Sequence, residues 1–329
     1  MPQVTVVMAV YNAAQFLREA VTSILAQTYS DFELIAVDDA SSDESLSILE
    51  SFADTRMRII RHPANLGAAL SRNDALVAAR GEFVAIMDAD DVCAATRLSR
   101  QVSFLEANPL VGVVGCGVYD NIDGKGVALS TSYLPRDNET IQRSLMEQWC
   151  FLHSSIMFRR ELLEQAGGYR QVFEPAEDHD LVLRILEYCQ AHNLYEPLVQ
   201  YRLNPKGLSV TGHQHASELR DAAIRLAQRR RSGQPEDLEA EMDRLRKLKG
   251  MHRPPTGFRG AVQRWRDSVY AASRYYRFGY HELCAGDLEK ARRCFLQSLR
   301  TNGLFLKSWI GIAYSWMLFA ASRLSRVTP

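Results

Sequence analysis

Val4–Val10 is a near-continuous apolar run, the mark of a strand buried on both faces, and it narrows the fold more than any other feature. Phe16, Leu17, Ala20, Val21, Ile24 and Leu25 follow at helical spacing. The alternation then repeats. Residues 32–37 and 57–60 read as strands, 66–79 as a helix, 83–87 as a strand, 98–105 as a helix and 111–116 as a strand. This rhythm predicts an α/β fold with a mainly parallel sheet flanked by helices. Residues 120–175 mix short strands, turns and helices; 177–189 read as a helix and 195–202 as a last strand.

From about residue 215 the pattern is helical only. The expected helices are 215–231, 235–250, 262–284, 287–300 and 304–324, with Pro254, Pro255, Thr256 and Gly257 as a linker. Two domains are therefore expected, 1–214 and an all-helical C-terminal region, 215–329. Gly279, Gly286, Asp287, Ala291, Phe295 and Leu299 fit one hairpin of the tetratricopeptide type, and equally a plain helical hairpin. The last helix is strongly apolar, with Leu304, Leu306, Trp309, Ile310, Trp316 and Met317. Surface contact with a membrane, burial in the fold and a true span all remain open for it.

A net charge of zero hides a division. Residues 1–215 carry 17 Lys and Arg against 28 Asp and Glu, net −11, and residues 216–329 carry 22 against 11, net +11. Such halves have different partners. The six cysteines form no CxxC pair and most lie in apolar surroundings, which suits free thiols in a reducing compartment. The N-terminus lacks a basic segment and a cleavage site, so a cytoplasmic location is expected, with peripheral contact at the inner face of a membrane.

The chemistry gathers at strand ends. The first strand ends in Tyr11-Asn12, the second in Asp38-Asp39 with Asp43 close behind, and the fourth in Asp88-Ala89-Asp90-Asp91. In open α/β sheets, ligands bind beyond the carboxyl ends of the strands. Acids crowded there repel unless a cation joins them, and a divalent ion on a polyphosphate supplies one. The turn after the first strand has no glycine, which excludes a GxGxxG dinucleotide site, and no Walker A loop is present. Asp38, Asp43 and Asp91 can also be helix caps, and Tyr11 can also be core.

Residues 4–12, Ser23–Thr28 read as SILAQT, and 32–43 read as FELIAVDDASSD resemble the inverting family 2 glycosyltransferases of GT-A (Rossmann-like) fold. Asn65, Leu66, Gly67, Ala69, Arg72 and Asn73 continue the likeness. So do Asp88-Ala89-Asp90 as a DxD motif, Gly167-Gly168-Tyr169-Arg170, Glu177-Asp178-His179-Asp180, and Tyr201-Arg202 with Ser209 downstream. The resemblance covers roughly residues 3–210.

The resemblance implies a hexosyl-transferring enzyme that takes a nucleotide sugar, UDP-linked in the commonest case, and Mn²⁺ or Mg²⁺. Tyr11 would line the base pocket, Asp39 would accept a base N–H, and Asp88 and Arg72 would contact the donor. Asp90, with Asp88, would hold the metal. Asp178 would be the general base, with Glu177, Asp180 and His153 as acceptor-side candidates. The acceptor would be a glycan or a lipid-linked saccharide of cell-surface polysaccharide synthesis, and no nucleic-acid partner is expected. Gln200-Tyr201-Arg202 lacks the tryptophan of processive synthases, so a nonprocessive enzyme is implied. Two rivals are an inactive nucleotide-binding scaffold and a sugar-phosphate nucleotidyltransferase; the latter would carry a Gly- and Arg-rich loop where this chain has Tyr11-Asn12.

Overall fold

The computed structural model describes residues 1–204, 207, 213–251 and 258–324. The Pro254–Gly257 linker and Ser209 therefore lie outside the described residues. Two compact units divide the chain: residues 1–119, 132–201 and 214–246 form the first, and 120–131, 202–213 and 247–329 the second.

In the first unit, β1 (Val4–Val10) pairs in parallel with β2 (Phe32–Asp38) and β4 (Phe83–Ile86), and β2 pairs in parallel with β3 (Met57–Arg61). The helices α1 (Ala14–Leu25), α2 (Ser45–Glu50) and α3 (Ala68–Ala78) connect these strands. Beyond β4 the direction reverses. The sheet order is β3-β2-β1-β4-β8-β6-β9-β5, with β7 on β6. Here β5 is Val92–Cys93, β6 Val111–Ile122, β7 Ala128–Tyr133, β8 Met157–Arg159 and β9 Gln190–Arg202. The helices between them are α4 (Arg97–Ala107), α5 (Asn138–Ser144), α6 (Leu162–Ala166) and α7 (Glu177–Ile185).

Strand periodicity explains the two cores. Val7, Ile35, Val84 and Ile86 enter one apolar cluster, while Val6, Met8, Leu34, Ala36 and Ala85 enter the other. The second cluster takes in Leu17, Val21 and Ile24 of α1 and Leu98, Val102 and Leu105 of α4. The first takes in α3, α7 and also α8 (His213–Arg231), through Leu219, Ala222, Ala223, Leu226 and Ala227.

That last contact corrects the single boundary drawn between residues 214 and 215. The apolar stripe of α8 joins the same apolar cluster as α3 and α7, so 214–246 fold with the first unit. The last turn of α8 carries Arg229, Arg230 and Arg231. Arg230 pairs with Glu187 and Glu236, Arg231 donates to Gln142 Oε1, and Arg229 donates to the Pro235 carbonyl. Arg159 is likewise tied down, donating to the carbonyls of Val111 and Leu105.

The rest of the described chain is helical: α9 (Leu238–Met251), α10 (Phe258–Cys284), α11 (Leu288–Thr301) and α12 (Leu306–Leu324). In the second unit, α10 to α12 pack around buried Phe295, whose ring fills the space that side chains at Gly279 and Gly311 would need. Asp287 starts α11 by accepting the Lys290 amide. No helix among the described residues is long and apolar enough to cross a membrane.

Candidate active site

Parallel strands deliver their carboxyl ends to one edge of the sheet, so the termini of β1, β2 and β4 come together. The turns after β1 and β2 are locked to each other. Asn12 Oδ1 accepts the Ser42 amide, the Asn12 amide donates to Ser41 Oγ, and the Asp39 amide donates to the Val10 carbonyl. Asn12 and Ala40 take positive φ, which tightens both turns. Tyr11 is 53% exposed beside them, which removes the core reading and leaves its ring free to stack. Asp43 is a cap, as one reading had it: it accepts the amides of Ala14 and Ser45, the first residues of α1 and α2.

Asp39 is buried, and its carboxylate accepts the amides of Leu66 and Gly67 and meets His62 Nδ1, each at 2.8 Å. A carboxylate offers about four acceptor positions, so one remains for a ligand N–H. His62 Nε2 continues to Asp74. Burial disfavours the His62 cation, but hydrogen bonds and charge from Asp39 and Asp74 outweigh it and raise the pKa. A raised histidine pKa stabilises the fold below the unfolded value, near 6.5, and the benefit fades as pH climbs through the folded value. His62→Gln is therefore expected to lower the urea midpoint more at about pH 5.5 than at about pH 8.5. An equal loss at both would show that the charge of His62 contributes nothing.

Arg72, on α3, ties the two sides of the crevice. It donates to Asp88 Oδ1 at 3.0 Å and to Glu177 Oε1 at 2.6 Å, and stacks over Tyr169. Asp88 follows β4, and Glu177 opens α7. Burial disfavours the Arg72 cation, yet the charges of Asp88 and Glu177 raise its pKa. Burial also works against the Asp88 carboxylate, but His153 and Arg72 hold it well below the usual carboxylate range. His153 Nδ1 lies 3.7 Å from Asp88 Oδ1, and its Nε2 is 3.1 Å from the Tyr169 hydroxyl. Glu177 Oε2 is buried and has no hydrogen-bond partner among the described residues.

Asp178 lies beside Glu177 in the first turn of α7 and meets the His179 amide at 2.7 Å. Burial raises its pKa, with Glu177 adding and His153 opposing. Asp90, two residues beyond Asp88, is partly exposed. Asp91 is instead buried and takes the hydroxyl of Ser154. Of the acceptor-side candidates, Glu177 and His153 join the site. Asp180 does not: it is buried and paired with Arg170 and Arg184. Arg184 in turn donates to the carbonyls of Ala166 and Gly168. Asp180 thus anchors the 166–170 loop.

Sequence reasoning gave no roles to Tyr169, Asn73 or Glu174. Asn73 clamps Tyr169 through both its amide and its carbonyl, at 2.8 Å each. Glu174 accepts the Ala68 and Ala69 amides at the start of α3, next to Gly67 at φ +95°. A side chain at Gly168 would fall on Asn73 Oδ1. Gly168→Ala is expected to cost about 1–3 kcal/mol by overpacking, read as a lowered urea midpoint. An unchanged midpoint would mean that the Asn73 clamp shifts freely.

A cavity of about 890 Å³ is lined by Asn73, Gly168 and Tyr169 of this clamp, with Val77, Arg160 and Arg230 among others. None of the strand-end acids lines it, and its arginines are largely paired with Asp180, Glu187 and Glu236. Asp88, Asp90, His153 and Asp178 lie outside its lining.

Residues 5–167 match glycosyl transferase family 2. The putative glycosyltransferase EpsE of Bacillus subtilis is 35% identical over 61% of this chain and 73% of its own length. The chain belongs to glycosyl transferase family 2. It is an enzyme of the glycosyltransferase class. The O-antigen biosynthesis glycosyltransferase WbnJ of Escherichia coli is 32% identical over 62% of this chain and 80% of its own. Among solved structures, S. aureus TarS 1–349 with UDP-GlcNAc matches with a TM-score of 0.56 at 18% identity, covering 98% of this chain and 92% of that one. The mannosyltransferase PcManGT of Pyrobaculum calidifontis, with GDP-Man and Mn²⁺, matches at 0.51 and 21% identity over 99% and 88%. These likenesses bear on the fold, and the GT-A expectation holds for this family 2 enzyme.

Proposed function

We propose that the crevice moves a hexosyl group from a nucleotide sugar, UDP-linked, to a saccharide hydroxyl, with inversion at the anomeric carbon. The observation that carries this reading is Arg72 joining Asp88 at the end of the sheet to the Glu177–Asp178 turn. Donor-side and acceptor-side groups thereby share one rigid frame. Tyr11 stacks on the nucleobase, and the remaining acceptor position of Asp39 takes a base N–H.

Asp178 accepts the proton of the acceptor hydroxyl, whose oxygen bonds to the anomeric carbon. The bond from that carbon to the diphosphate breaks, and its electron pair leaves with the nucleoside diphosphate. Burial raises the proton affinity of Asp178, which suits it as a base. His153 is the acceptor-side histidine of this reading, held by the Tyr169 hydroxyl.

Asp88 and Asp90 suit a hard divalent ion. No cluster of three or more metal-binding side chains occurs among the described residues. One or two carboxylates completed by phosphate oxygens is the usual donor set for Mg²⁺ at such sites. Asp88 is kept ionised, as a ligand must be. When bound, Mn²⁺ or Mg²⁺ would neutralise charge developing on the leaving diphosphate.

The O-antigen role in WbnJ's name supports a place in surface polysaccharide assembly, with a saccharide or lipid-linked acceptor, and the sugar nucleotides bound by TarS and PcManGT support the donor class. A panel of UDP-, GDP- and dTDP-sugars tests the reading. Turnover of a UDP-sugar with an inverted product, seen by NMR, is expected. A retained anomeric configuration would contradict the role of Asp178, and a preference for GDP-sugars would contradict the nucleotide.

A further inference from the structure

The helix α12 is built inside out. Among its described side chains the buried positions are small: Ser308, Gly311 and Ser315 face the fold. Ser308 Oγ donates to Ser298 Oγ, and Gly311 lies against the Phe295 ring. Five of its large side chains point outward. Trp309 is 55% exposed, Ile310 62% and Met317 61%, with Leu306 and Tyr314 on the exposed side as well. Small residues inside let the helix approach Phe295 closely, so packing accounts for the buried face. It does not account for five large apolar or aromatic side chains in water, and a contiguous patch of that kind marks an interaction surface.

The charge of the surrounding segment selects the occupant. Residues 247–329 carry 15 Lys and Arg against four Asp and Glu, net +11. The basic excess of the C-terminal half therefore lies wholly in the second unit. Arg300 and Lys307 are exposed at the end of α11 and the start of α12. A second copy would bring like charge against like. An anionic bilayer surface matches both features, since apolar side chains enter the headgroup boundary while cations meet lipid phosphates. Trp309 and Tyr314 are the side chains favoured at that boundary. No described helix can cross a membrane, so the helix would lie in the plane.

We infer that the outer face of α12 docks this enzyme on an anionic lipid surface. This goes beyond the transfer reading and does not depend on it, because vesicle binding is measured without turnover.

Flotation of the full chain with vesicles tests it. Binding is expected to vesicles of phosphatidylcholine with phosphatidylglycerol, to weaken with salt, and to be slight on phosphatidylcholine alone. The triple variant Trp309→Ser, Ile310→Ser, Met317→Ser should partition at least about tenfold less. Lys307→Glu with Arg300→Glu should reduce binding to the anionic vesicles alone. Turnover on a soluble acceptor should be unchanged in both. Should the triple variant lose its far-UV circular dichroism, the charge variant carries the test. Equal partition of wild type and charge variant would overturn the inference, as would failure of the wild type to float. So would light scattering that shows a dimer which the folded triple variant splits without any change in vesicle binding.

Discussion

Arg72→Met is expected to destabilise the first unit by about 3–5 kcal/mol, the usual consequence of leaving a buried charge without its partner. Arg72 pairs with both Asp88 and Glu177, and the Glu177 side chain is 7% exposed. Without the guanidinium, Glu177 must either stay charged in an apolar setting or take up a proton, and both cost stability at neutral pH. The double variant Arg72→Met, Glu177→Gln removes the stranded charge and should recover much of the loss. Urea unfolding of the two single variants and the double variant measures this coupling. Strictly additive losses would show that the pair does not hold the crevice together.

Asp178→Asn is expected to lower kcat by about 10²–10⁴-fold with little change in donor KM, since a general base acts in the chemical step. The pH profile adds a second readout. The base must be ionised, and its pKa is raised, so wild-type kcat/KM should rise with pH through a value above that of an ordinary aspartate. That acidic limb should vanish in the variant. Full activity in Asp178→Asn would transfer the role to Glu177, whose second oxygen is unpartnered among the described residues.

The parallel half of the sheet was legible because β1, β2 and β4 are apolar on both faces and begin and end near where the apolar runs do. The antiparallel half was not: β8 has three residues, too few to show a period, and β6 and β9 run several residues beyond their most apolar parts. The strand-end acids were legible for the same reason as the strands. Their partners were not, since Arg72 reaches Glu177 across 105 positions and Asp39 reaches His62 across 23. Within one helical turn, Glu177, Asp178 and Asp180 look alike in sequence. Only the arginines around them separate a crevice residue from a loop anchor. For α12 the apolar content was plain, but composition does not tell which face is turned inward.

Metal-dependent sugar transfer is tested by nucleotide-sugar turnover of wild type and Asp90→Ala, each with Mn²⁺ and with EDTA. Wild-type activity that EDTA abolishes and Mn²⁺ restores is expected, with a loss of at least about a hundredfold in Asp90→Ala and its thermal unfolding unchanged. Undiminished turnover in Asp90→Ala, or nucleotide binding without turnover on any donor, would contradict it.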